Sequence, residues 1–409
     1  MIRYLCFCLL IVLAVGSCQT PPEQSDLAGQ AYESWEAPQW EVAERASAYD
    51  DLRGWDLVNL APGLQALRRS CAKLTAKSPT DFISKRQIWA GQVADWAPPC
   101  EALNVISDET SARAVIQALF TPVQVSDQAN NSRFTGYFEP TYDARLSPTG
   151  RFTDPVLGRP DDLVVRGGKV YQQRRNGSLR TYPARKQIVE QGGSALAYMR
   201  PEDLFFLQIQ GSGRLLLPDG RTIRAVYAAN NGREFVSTAN WLLRKGWISR
   251  SEAGMTGIKA WMASASEARL REAMNANPRY IFFATKPEGD PTLGLDGSQG
   301  VPLTPLGSIA IDPAFHPLGA PFFVKTSAPG LGGNWSSFVV AQDTGAAIKG
   351  AVRADIYLGT GDEAGQRADT VNAPGQMWIL LPRRVAQRLS AQDLSASTPS
   401  ITGVSLSLP

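Results

Sequence analysis

Residues 337–365 read SFVVAQDTGAAIKGAVRADIYLGTGDEAG. Two short β-type runs, Ser337–Ala341 and Ala354–Leu358, bracket a glycine-bearing turn, with Asp343 just past the first and Asp355 at the start of the second. Ser308–Ile311, Pro321–Lys325 and Met377–Leu381 add three more short runs at roughly even spacing. So many short strands leave edges to hide, which predicts a compact closed barrel for the last third of the chain. If consecutive strands carry Asp343 and Asp355, the two carboxylates converge at one end, as in a site that cleaves a glycosidic bond. The plainer reading is that each aspartate caps a turn beside its glycine. Gly359-Thr360-Gly361 does not make a phosphate loop, because Asp362 and Glu363 follow and the Gly-Lys-Ser/Thr ending is missing.

Outward from this block the texture changes twice. From Trp55 to about Leu119 the spacing is helical, with Leu60, Leu64, Leu67 and Cys71, then Ala112, Ile116 and Leu119, at three- and four-residue steps. After Thr121 come β-like runs at Phe134–Phe138, Leu163–Val165, Leu204–Ile209 and Thr222–Tyr227, and helix returns at Thr238–Lys245 and Met255–Met274. Beyond about Gln387 the chain is Ser-rich and reads as a loose tail. The expected class is mainly β with an α-rich N-terminal region. Three segments, 134–140, 208–213 and 227–234, mix aromatic, amide, hydroxyl and glycine residues, the inventory of a carbohydrate groove and equally of turns at strand ends.

Composition removes several function classes. The 41 Lys+Arg against 38 Asp+Glu give +3, short of the basic excess of a nucleic-acid binder. One histidine and five cysteines do not furnish a zinc site of ordinary ligand count. His316, between Phe315 and Pro317, reads as a packed loop residue, and Ser212 lacks the spacing of a nucleophile elbow, so a Ser-His-Asp hydrolase is discounted. At the N-terminus Arg3, the apolar run Tyr4–Val15 and Gly16-Ser17-Cys18 form a secretory signal. Val15-Gly16-Ser17-Cys18 is similar to a bacterial lipobox, which makes Cys18 the acylated first residue of the mature chain; the alternative is an ordinary signal that contains a cysteine. Gln19 in place of Asp points to the periplasmic face of the outer membrane, and residues 19–30 are polar enough to be a tether. Cys6 and Cys8 leave with the signal, so Cys71 and Cys100 are either a disulfide or two buried thiols.

Together the motifs resemble those of the membrane-bound lytic murein transglycosylase A family, from about Trp55 to Arg384. Thr135-Gly136-Tyr137, Gln208-Ile209-Gln210-Gly211-Ser212-Gly213, Gly300-Val301-Pro302-Leu303-Thr304-Pro305 and the Asp343–Gly365 block carry the likeness, with Asp312, Asp343 and Asp355 matching the family's three-aspartate signature. The resemblance implies a double-psi β-barrel plus an inserted β-rich domain, with the substrate groove at their junction. The implied division is 1–17 signal, 18–30 lipid-anchored linker, 31–137 N-terminal barrel part with helices, 138–287 inserted substrate-binding domain, 288–388 C-terminal barrel part and 389–409 loose tail. It implies a peptidoglycan lytic exotransglycosylase with Asp355 as acid and then base, Asp343, Tyr357 and Lys349 in support, and Thr135, Tyr137, Gln210, Ser212 and Asn231 touching substrate. No cofactor, metal or nucleic acid is implied. The implied partners are glycan strands and, through Cys18, the membrane; the expected assembly is a monomer, with other wall-remodelling proteins as candidate partners. Leu306 stands where the family pattern has Arg, which affects a peripheral groove contact. Two alternatives stay open: an inverting polysaccharide hydrolase using Asp343 and Asp355, and a murein-binding lipoprotein without catalysis.

Overall fold

A computed structural model describes residues 47–127, 131–345 and 347–396; the signal run, Cys18 and the tether of residues 19–30 lie outside the described residues. Of the described residues 34% are helical and 32% strand, a mixed helix and sheet arrangement rather than a mainly β one. The described residues divide into two compact units, 140–289 and a discontinuous one formed by 47–139 with 290–396.

The discontinuous unit is built on an eight-stranded sheet in the order Phe120–Gln124, Gly375–Pro382, Pro321–Ala328, Gly333–Thr344, Ser308–Ile311, Val352–Thr360, Ser132–Glu139, Asn372–Ala373. The ladder runs from one edge to the other without closing, where the sequence reading expected a closed barrel. Two of its pairings are parallel: Ser308–Ile311 with Gly333–Thr344, and Val352–Thr360 with Ser132–Glu139. Parallel neighbours need long crossover connections, and for the second pair the whole 140–289 unit lies within that connection. Apolar residues such as Ile309, Phe322, Val339, Ile356 and Leu380 are buried in one core, with Trp55 standing edge-on to Phe323 and Phe338.

Helix Ala61–Thr75 lies against this sheet through its buried Leu64, Leu67 and Leu74. The approach is so close that a β-carbon on Gly63 would stand 2.0 Å from the carbonyl oxygen of Phe338. Cys71 on this helix is bonded to Cys100 on helix Val93–Asn104, with Cα atoms 5.4 Å apart. Helix Arg383–Ala396 runs into the start of the expected loose tail, whose remainder lies outside the described residues: Val385 and Ala386 are buried, and Arg388 grips Asp95 with two bonds of 2.9 and 2.6 Å.

The 140–289 unit has its own core around Phe205, Leu207, Leu215, Ala225 and Phe283. Its four-stranded sheet runs Ile281–Pro287, Thr222–Asn230, Ser212–Leu216, Thr141–Asp143. Helices Thr238–Arg244, Met255–Ser264 and Glu267–Asn275 lie where helix was expected, the second expected run being split in two. Leu204–Ile209, expected as a strand, lies inside helix Pro201–Gln210. Pro201 opens that helix, Glu202 and Asp203 favour its positive end, and Gly211 closes it at φ 84°. Residues 201–208 are all buried, so the run carries no polar face to reveal a helical period.

Candidate active site

Strand Val352–Thr360 has two neighbours, and their registers assemble the site. In the parallel ladder Arg353, Asp355 and Tyr357 stand opposite Arg133, Thr135 and Tyr137. Strand alternation puts these six side chains on one face, while Ala354, Ile356 and Leu358 turn into the core. On the other side Ala310 pairs with Asp355 in one ladder and with Asp343 in the next. The two aspartates therefore flank Ala310, with about 9–10 Å between their strands.

The two carboxyls have different surroundings. The Thr135 hydroxyl donates to Asp355 Oδ1 and in turn accepts from Arg353 Nη2 at 2.8 Å. Asp355 keeps part of its surface open, as Thr135 and Tyr137 do. Burial pushes its carboxyl above the ordinary carboxylate range, against the pull of Thr135 and Arg353, with Asp343 adding to the rise. Asp343 is buried and sealed by donors: the Ser298 backbone at 2.9 Å, the Ser298 hydroxyl at 2.8 Å and the Thr344 backbone at 2.9 Å all reach Oδ1, and the Tyr137 hydroxyl reaches Oδ2 at 3.1 Å. Burial pushes Asp343 up as well, opposed by these same bonds.

Tyr137 and Tyr357 lie with ring centres 5.3 Å apart, so one aromatic pair spans from Asp343 towards the Asp355 strand. Gly294 borders it closely: a β-carbon there would stand 2.4 Å from the Tyr357 hydroxyl. Gly294→Ala is expected to displace that ring, seen as a changed near-ultraviolet circular dichroism spectrum, while the far-ultraviolet spectrum still shows a folded chain. Beneath the site a buried amide braces the sheet. Gln342 Nε2 donates to Ala66 O and Ser70 Oγ, both at 2.8 Å, and its Oε1 accepts from Ser308 Oγ at 2.5 Å. Leu306, in place of the expected Arg, takes a left-handed φ of 58° and donates its backbone N–H to Tyr357 O at 2.7 Å.

Other expected residues go elsewhere. Lys349 faces Asp312 Oδ1 at 3.6 Å, and Asp312 also accepts from the backbones of Ala314 and Gly350 at 3.0 Å, so this pair braces a turn rather than supporting Asp355. His316 is buried against Phe322 and bonded to Ala351 O at 2.7 Å; burial lowers its pKa to about 4 and keeps it neutral. In the 140–289 unit Gln210 and Ser212 are partly buried on either side of Gly211. Asn231 corrects the expectation of a substrate contact. It is fully buried, donates to Pro183 O and Pro278 O at 2.9 Å and accepts from Tyr280 N at 2.9 Å, so it stitches its own loop. Ser298, Gly294 and Arg353 were not singled out from sequence, since nothing in their spacing links them to the aspartates.

The raised carboxyls have a consequence for stability. Folded Asp355 holds its proton to higher pH than the unfolded chain does, so its contribution is full below the ordinary carboxylate value and is lost as pH rises through the folded one. The melting temperature of Asp355→Asn minus that of the parent should therefore grow as pH rises from about 4 to about 7. A constant difference across this range would contradict the sign.

The chain is similar to known proteins over most of its described length. Residues 133–284 match the MltA specific insert domain, and residues 307–381 match the 3D domain. Membrane-bound lytic murein transglycosylase A from Vibrio cholerae and from Escherichia coli are 30% and 31% identical over 263 and 265 residues, 62% of this chain; the chain spans 66% and 67% of their lengths. The crystal structure of MltA from Neisseria gonorrhoeae superposes with a TM-score of 0.71 at 30% identity, covering 82% of this chain and 92% of that one. That of E. coli MltA with bound chitohexaose gives 0.56 at 26%, covering 78% and 90%. The chain belongs to the membrane-bound lytic murein transglycosylase A family, a family of peptidoglycan-cleaving lyases.

Proposed function

We propose that the protein cleaves the β-1,4 bond between N-acetylmuramic acid and N-acetylglucosamine in peptidoglycan and releases 1,6-anhydromuramoyl products. The observation that carries this reading is Asp355: a carboxyl held towards its protonated form by burial, partly open to the surface, and gripped on one oxygen by Thr135. Protonated Asp355 donates to the glycosidic oxygen as the bond to C1 breaks, leaving oxocarbenium character on the muramoyl ring. The resulting carboxylate takes the proton from the C6 hydroxyl of the same sugar as that oxygen attacks C1, which restores the acid and closes the anhydro ring. The nucleophile belongs to the substrate, so one carboxyl serves both halves and no water enters the balance.

Thr135, Tyr137 and Tyr357 are the substrate-facing and supporting groups of this reading, and Gln210 and Ser212 are its candidate substrate contacts in the 140–289 unit. Asp343 raises the proton affinity of Asp355 and orients Tyr137. The donors already on both oxygens of Asp343 argue against its serving as the base that activates water in an inverting hydrolase. The relative described with bound chitohexaose supports a glycan strand as ligand. Acylation at Cys18 and residence on the periplasmic face of the outer membrane follow from the lipobox reading; among the described residues no helix is long and apolar enough to cross a membrane.

Digestion of purified murein by the chain starting after Cys18, followed by mass spectrometry, tests the proposal. Anhydro-muropeptides are the expected products, hydrated ends would assign a hydrolase, and binding without release would leave only a tethering role.

A further inference from the structure

We infer that Arg353 is a positioning residue for this reaction, acting through the Thr135 hydroxyl to fix which oxygen of Asp355 carries the transferable proton. The inference rests on the function proposed above. Arg353 is buried, 8% exposed, on the same strand face as Asp355. Its Nη1 donates to Ala354 O at 2.5 Å and Arg133 O at 3.4 Å, which locks the guanidinium plane, and Nη2 reaches Thr135 Oγ1 at 2.8 Å.

A guanidinium only donates, so Thr135 Oγ1 is the acceptor in that bond. The single hydrogen of Thr135 is then directed to Asp355 Oδ1. The polarity Arg353 to Thr135 to Asp355 makes Oδ1 an acceptor and leaves Oδ2 to hold the proton delivered to the leaving oxygen. Each donor in such a series strengthens the next.

The charged and titratable groups facing Asp355 come from three strands. Arg353 lies on its own strand, Arg133 on the parallel neighbour and Asp343 two strands away, while Tyr357 and Tyr137 complete the face. Burial and Asp343 favour the acid needed for bond cleavage. The two arginines favour the carboxylate needed for ring closure. Arg353 therefore keeps one carboxyl usable in both halves of the cycle.

The test compares Arg353→Gln, Arg353→Lys, Thr135→Val and the double variant Arg353→Gln/Thr135→Val, using initial rates of anhydro-muropeptide release from soluble glycan strands across pH. Arg353→Gln is expected to lose about tenfold in kcat with KM within about twofold, and its alkaline limb should move up by about one pH unit. Arg353→Lys keeps the charge but not the planar fork, so the limb should stay in place while kcat falls. The double variant should be no slower in kcat than Thr135→Val alone, because Arg353 acts through that hydroxyl. A parent-like pH profile for Arg353→Gln, or losses in kcat that add in the double variant, would overturn the inference. If Arg353→Gln does not fold, Arg353→Lys decides: full kcat overturns the role and reduced kcat with an unmoved limb supports it. Asp355→Asn measured alongside separates the two failures. An active Asp355→Asn removes the functional reading itself, whereas an inactive one beside a parent-like Arg353→Gln removes only the role of Arg353.

Discussion

Asp355→Asn is expected to lower the release of anhydro-muropeptides by about 10²–10⁴-fold, the usual worth of a positioned acid–base group. The substitution is nearly isosteric. The Thr135 hydroxyl still has an amide oxygen to donate to, the ladder opposite Thr135 and Ala310 is untouched, and the core residues Ala354 and Ile356 keep their packing. What goes is the proton that must move twice. The fold should not suffer, since burial disfavours the charged form of the parent's carboxyl and an amide carries no charge at any pH. A melting temperature at or above that of the parent, with glycan binding retained and product release lost, would place the defect in chemistry. Retained turnover would show that another group supplies the proton.

The second large effect concerns stability. Replacing both cysteines of the Cys71–Cys100 bridge by serine reopens a loop with a sequence separation of 29, which costs about 3–4 kcal/mol on the chain-entropy scale. For a unit of about 200 residues that corresponds to a fall of roughly 7–14 °C in Tm. The effect reaches beyond the two helices it joins. Ser70, next to Cys71, donates to Gln299 Oε1 at 2.7 Å and accepts from Gln342, and the adjacent Ser298 and Asp343 belong to the site. Reductant should reproduce the fall in the parent and leave the double serine variant unchanged. A parent that ignores reductant would show that the bridge does not support the fold.

The elements legible in the sequence were those with an exposed and a buried side. Helix Ala61–Thr75 announced itself through Leu60, Leu64, Leu67 and Cys71 because its other face is solvated. The strand runs 308–311, 321–325 and 354–358 were recognisable by β-branched and aromatic content between turn residues. The sequence of helix Pro201–Gln210 reads as a strand because burial of residues 201–208 erases periodicity, although Pro201, the acidic first turn and Gly211 mark its ends. Helix Arg383–Ala396 is hard to see in sequence because no strong apolar period runs beyond Gln387, while Val385 and Ala386 just before it dock on the core.

The site was legible where it runs along one strand and illegible across strands. Asp355 and Tyr357 share a strand face at a spacing of two, whereas Thr135 comes to Asp355 across a separation of 220 residues through a parallel register. No local pattern records that register. Ser298, which puts two donors on Asp343, sits in a loop whose composition suggests only a turn. Asn231 shows the converse: an amide within a groove-like motif was fully used by its own backbone surroundings.

In the proposed reaction the C6 hydroxyl of the substrate, and not water, attacks C1 while Asp355 moves the proton. Digestion of murein in water enriched in oxygen-18, with mass spectrometry of every released muropeptide, tests it most directly. Anhydro ends that carry no label are the expected result. A reducing end bearing one labelled oxygen from the bulk solvent would contradict it and assign the site to a hydrolase.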